Sequence, residues 1–251
     1  MVARHDQTTD PALLDGLLQA RRGTAFFARK LNELSDADLD GASLLQGWTR
    51  RHVTAHVGYN ARAIARLVEW AATGVETPMY PSTEVRNHEI DFGATLNPIA
   101  LRNLFDHSAV HLNVEWRDLP ADAWHNKVKT VQGRVVPAKE TVWMRTREVW
   151  VHAVDLDNGA SFADIPAPVL ARLLKDITVA WTSRGTDKGL MGRVDGHPEL
   201  SFGDMEACTP LQFSGSLADV ACWATGRGVA GVTASRDGQI VPAVPPAPAW
   251  I

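Results

Sequence analysis

TRRHVTAHVGYNARAIARLVEWAATG, residues 49–74, is the stretch on which the fold turns. Thr49 can cap the first free amides of a helix. Val53, Val57, Ile64, Leu67, Val68 and Ala71 then recur at helical spacing until Gly74 ends the pattern. A long helix with one apolar stripe must bury it against other elements, and the flanking sequence supplies them. Asp10-Pro11 opens a helix that carries Leu13, Leu17, Phe27 and Leu31 to about Leu34. Asn97-Pro98 opens another through Leu101, Phe105 and Leu112 that stops just before Pro120. A fourth occupies about 139–156, after an extended stretch around Val128–Val136 that turns at Gly133. Four long helical patterns joined by loops predict an up-and-down four-helix bundle over residues 1–160.

The texture changes over residues 161–251. One helix begins at Pro168, and short glycine-punctuated extended pieces follow, such as Gly189–Gly192 and Leu211–Phe213. Ser216, with Asp219 three residues on, opens a further helix that Gly226 closes. This predicts a smaller α+β domain. Its tail after Ile240 is proline-rich (Pro242, Pro245, Pro246, Pro248) and reads as extended, lying on a surface through Trp250. The fold class expected is therefore α+β in two domains.

Composition narrows the function classes. The net charge of −4 leaves no basic excess to neutralise a phosphate backbone, so small ligands rather than nucleic acid are expected. No run of about 18 apolar residues exists, and the polar start MVARHDQTTD lacks the apolar core of a leader peptide. Only two cysteines, Cys208 and Cys222, are present, too few for a disulfide framework, and a reducing cytoplasm is the expected setting. Oligomeric state is not legible.

The chemistry must lie elsewhere. Two histidine pairs are spaced i, i+4: His52/His56 and His107/His111. On the helix opening at Thr49, His56 lies roughly 60° from the centre of the apolar stripe and His52 roughly 100° away, so His56 is the inward one. His107 and His111 fall roughly 120° and 80° off their own stripe and read as solvated. HVTAH (52–56) lacks the glutamate of HExxH, so a zincin-type protease is not supported.

The last long helix of the bundle is apolar around most of its circumference, yet Thr141, Arg145, Glu148, His152 and Asp155 form one narrow polar line. Such a line is either a solvent-facing stripe or a functional row. In the second case Glu148 and His152, one turn apart, with an inward His56, would make a two-histidine, one-glutamate set. Without thiolates, and with coordination positions left over, that set suits a catalytic divalent ion better than a closed structural one. Asp155 is placed to orient a ligand histidine. If the substrate is a small dicarboxylate, Arg86, Arg145 and Arg227 are the planar forks available to hold it; Arg227, between Gly226 and Gly228, reads either as such a clamp or as a cation favoured near a helix C-terminus. No GxGxxG, P-loop or GxSxG stands in the sequence, and neither cysteine carries a nucleophile motif.

GWTRRHVTAHV (47–57) and REVWVHAVDL (147–156) resemble the signatures of the DinB-like metal-binding bundles of mycothiol-dependent enzymes, and within that group the maleylpyruvate isomerase family. The likeness extends to Glu76–Tyr80, Arg86-Asn87, Thr95–Pro98 and Thr225–Gly228, and so spans nearly the whole chain. The resemblance implies one divalent metal, normally zinc, on His56, Glu148 and His152. It also implies mycothiol as thiol cofactor, a catalytic and substrate-binding role for Arg227 across a cleft between the domains, and Arg86 as a substrate carboxylate contact. The implied reaction is cis–trans isomerisation of maleylpyruvate to fumarylpyruvate in aromatic catabolism, by thiol addition, rotation and elimination. The competing expectations are a mycothiol S-transferase acting on electrophiles and a non-catalytic bundle that senses metal or thiols.

Overall fold

A computed structural model describes residues 5–204 and 207–250; of the polar N-terminal decapeptide, residues 1–4 lie outside it. The chain is α+β, with seven α-helices and two small sheets among the described residues, and it divides into two compact units, Met1–Ala160 and Ser161–Ile251.

In the first unit the helices begin where local chemistry dictates. Helix α1 (Pro11–Asn32) starts on Asp10, whose carboxylate accepts from the amides of Ala12 and Leu13, with proline at the first helical position. Helix α4 (Pro98–Asp118) repeats the device on Asn97, which accepts from Ala100. Helix α2 (Arg50–Thr73) ends at Gly74, whose φ of +75° is the left-handed C-cap conformation that a glycine adopts without steric cost. A hairpin of β1 (Lys127–Lys129) and β2 (Val135–Pro137) precedes α5 (Glu140–Asp155).

α2 packs chiefly on α4 and α1 chiefly on α5, while α5 also meets α2. Leu17, Ile64, Leu67, Leu112, Trp116, Trp124 and Val142 fill one continuous core between these elements. The periodicity predicts four helices here, and a fifth is present: α3 (Thr83–Ala94). It buries only Ile90, Gly93 and Ala94, so it has no apolar stripe from which spacing could have announced it.

The second unit sets α6 (Ala167–Arg184) and α7 (Leu217–Ala224) beside a five-stranded sheet in the order β4-β3-β5-β6-β7. Its strands are β3 (Leu190–Val194), β4 (Phe202–Gly203), β5 (Leu211–Gly215), β6 (Thr233–Arg236) and β7 (Gln239–Ile240). Only β3 and β5 run parallel. Trp223 anchors the core, 4.2 Å from the Phe213 ring and 5.7 Å from that of Trp181. The proline-rich tail carries no regular structure and is tied to this unit by main-chain acceptors: Trp223 Nε1 donates to Pro245 O, and Arg184 to Ala249 and Trp250. No helix among the described residues is long and apolar enough to cross a membrane.

Candidate metal centre

The polar line of α5 faces inward. Thr141, Arg145 and Asp155 are buried, and Glu148 and His152 are largely so. Two ties lock α5 to α2 and so set the spacing of the side chains they carry. Arg145 Nη1 donates to Val57 O (2.7 Å) and Asn60 Oδ1 (3.0 Å), and Arg50 Nε donates to Leu156 O (2.6 Å) at the end of α5.

Between these ties His56 Nε2 lies 2.9 Å from Glu148 Oε2, and His152 Nε2 lies 3.3 Å from the same oxygen. The three ligand atoms all fall within 4.8 Å of one another. Donors on a tetrahedral ion at ordinary zinc distances are about 3.4 Å apart, a spacing close to these separations. His152 Nδ1 is 2.8 Å from Asp155 Oδ2, which turns its Nε2 towards the cluster. The donor chemistry and the geometry both fit a divalent cation.

Electrostatics without an ion are uneven across the cluster. Burial pushes His56 down to about 4 against the opposing pull of Glu148, so it is a neutral imidazole at neutral pH. His152 is raised to about 9: burial, the largest influence, lowers it, but hydrogen bonds to Asp155 and Glu148 outweigh that. Burial would raise Glu148, yet its bonds to His152 and His56 hold it well below the usual carboxylate range. The metal-free cluster therefore holds a carboxylate and one imidazolium, and an incoming cation replaces that proton.

The other expected residues divide. Arg86, on α3, brings Nη2 to 3.4 Å from His56 Nδ1. Arg145 is no surface clamp: it is 1% exposed in the interior, where burial pushes its guanidinium down to about 10. Arg227 follows α7 in the second unit, its Nη1 donating to Thr225 O at 2.7 Å. His52 serves the start of α2: its Nδ1 accepts from the Thr49 amide at 3.2 Å and lies 2.8 Å from Thr49 Oγ1, closing a capping box. His111 meets Glu69 and Glu115 at 3.6 and 3.3 Å, but with half its side chain exposed.

Three neighbours were given no role in the sequence, although each lies in a stretch that carries the resemblance. Arg147 Nη2 stands 3.6 Å from Glu148 Oε1, and the Trp48 ring lies 5.5 Å from that of His56. The buried Tyr80 phenol is pushed up to about 12, by burial first, with Arg86 opposing and Glu148 adding. Membership of those stretches was the available signal, together with adjacency to Glu148 for Arg147; their contacts through space gave none.

Fold and site together define an α+β protein whose mainly helical first unit carries a two-histidine, one-glutamate cluster suited to a divalent ion. Residues 20–157 match the family described as mycothiol maleylpyruvate isomerase N-terminal domain. Two solved structures, of a mycothiol-dependent maleylpyruvate isomerase and of a histidine-to-alanine variant of that enzyme, superpose with TM-scores of 0.89 and 0.88. Each is 48% identical and covers 95% of this chain and 97% of its own. No curated protein matches. This chain belongs to the mycothiol maleylpyruvate isomerase family, a family of isomerases.

Proposed function

We propose that the protein catalyses mycothiol-dependent isomerisation of maleylpyruvate to fumarylpyruvate in aromatic catabolism, in the cytoplasm. The carrying observation is the convergence of His56, Glu148 and His152 in a chain 48% identical to an enzyme of that name. In this reading the first unit is a DinB-like four-helix up-and-down bundle that presents the metal ligands, and residues 161–251 form a second domain that contributes Arg227.

Rotation about a double bond needs that bond to become single for a moment. Sulfur addition to one alkene carbon moves the π electrons onto the conjugated carbonyl oxygen; after rotation, expulsion of the same sulfur restores the alkene as trans. The unit that carries the cluster contains no cysteine, which supports an external thiol. A divalent ion, zinc by the donor set, would supply a Lewis acid able to acidify a thiol or polarise a carbonyl.

The protein's own groups do the rest. Glu148 and His152 hold the donor geometry, with Asp155 fixing the imidazole. Arg86 offers a planar fork to a substrate carboxylate, and Arg227 is assigned as the second carboxylate contact and as catalytic. The Trp48 ring lies beside that of His56, centroids 5.5 Å apart.

The test is turnover: zinc-loaded protein, maleylpyruvate and mycothiol, followed in the ultraviolet. Isomerisation is expected, and His56→Ala should abolish both metal retention and turnover. His52→Ala should keep the metal and lose only about 1 kcal/mol of stability with the capping box. No isomerisation rejects the proposal, and an accumulating thiol adduct would assign an S-transferase instead.

A further inference from the structure

A slot enters the first unit between α1 and α4. Its volume is about 460 Å³, within the range of small-ligand sites. Ala25 and Ala28 of α1 and Phe105 and Ala109 of α4 form apolar walls, and Arg145 of α5 also lines it, whereas none of the three cluster residues does.

Arg145 is the unusual member. Both acceptors on its Nη1, Val57 O and Asn60 Oδ1, belong to α2 and are uncharged. Its Nη2 is buried with no hydrogen-bond partner among the described residues. Glu148, on the same helix, supplies part of the opposing charge, but a buried guanidinium N–H left without an acceptor still carries an uncompensated desolvation cost, so an anionic acceptor at Nη2 is the missing complement. The rim selects what kind. Arg21 is already paired with Asp6 and Asn113 and adds little free positive charge. Asp106 also lines the slot and repels a multiply charged anion.

The geometry points to this slot as a second binding site, for a small monocarboxylate with an apolar or aromatic body. The carboxylate is taken by Arg145 Nη2 and the body lies between Phe105 and the alanine walls. The inference goes beyond the isomerase reading and does not rest on it: the dicarboxylate of that reaction is the wrong charge for this slot.

The probe is 4-fluorobenzoate, titrated by fluorine NMR into the zinc-loaded full chain, with neutral 4-fluorobenzamide as control. Saturable binding at or below about 1 mM is expected, with the amide at least about tenfold weaker. Arg145→Met should weaken the acid by at least about tenfold. So should Ala109→Trp, which fills the slot from a half-exposed wall position and leaves Arg145 in place; this variant decides the matter if Arg145→Met fails to fold. His56→Ala should leave the affinity within about twofold. No saturation by about 10 mM, equal affinity for acid and amide, or binding lost with His56→Ala but unaffected by Ala109→Trp would each overturn the site.

Discussion

Asp155 is fully buried beneath the cluster and holds His152 Nδ1 at 2.8 Å. With Nδ1 held by that carboxylate, the imidazole has one nitrogen left for an ion, and the ring cannot swing to offer the other. Asp155→Asn keeps the volume and removes the charge, so the expected result is a loss of about 10–100-fold in metal affinity with the fold retained, read by competition against a chromogenic chelator. The two histidines also make the metal-free protein sensitive to pH in opposite directions. His152, raised to about 9 when folded, contributes stability that is complete below its unfolded value of about 6.5 and lost as pH rises through 9. His56, lowered to about 4, takes stability away as pH falls from about 6.5 towards 4, because the unfolded chain then binds the proton first. Urea unfolding of the stripped protein should therefore show maximum stability near pH 6.5; a flat profile from there to pH 9 would contradict the His152–Asp155–Glu148 arrangement.

At the scale of the element, α3 is the least anchored helix of its unit, yet it carries Arg86 to the cluster. It lies against α2 because residue 93 is glycine: a Cβ there would sit 2.7 Å from Tyr59 Cε2 and 2.8 Å from Ala55 Cβ. Gly93→Ala forces the two helices apart, and a cost of about 1–3 kcal/mol in urea unfolding is expected. Because the three cluster residues are on α2 and α5, metal content should be unchanged while the contact of Arg86 with His56 is lost. A variant as stable as the parent would show that the approach of α3 is looser than this packing requires.

Across the whole molecule, the cluster joins two helices far apart in sequence, His56 on α2 with Glu148 and His152 on α5. An ion there cross-links the first unit in its folded form only, so its binding energy adds to stability. Free zinc at about a hundredfold over its dissociation constant adds about 2.7 kcal/mol, and chelation should lower the thermal midpoint by about 5–10 °C. His56→Ala should be insensitive to the same chelator, which separates the cluster from the exposed group at His111.

What could be read from the chain alone is what neighbours within a turn or two decide. Asp10-Pro11, Asn97-Pro98 and Gly74 set helix limits through bonds to their own amides and carbonyls, and the 3.6-residue period distinguished His56 from His52 and aligned Glu148 with His152. The same period could not say whether the line Thr141–Asp155 met solvent or the interior, since that depends on which helix covers it. Nor could it announce α3, whose sequence has almost no apolar stripe, or place Arg145 inside the unit rather than at a substrate. Those outcomes belong to packing between segments dozens of residues apart: the ties from Arg50 and Arg145 bring α2 against α5, and only that contact turns three separately unremarkable side chains into one site.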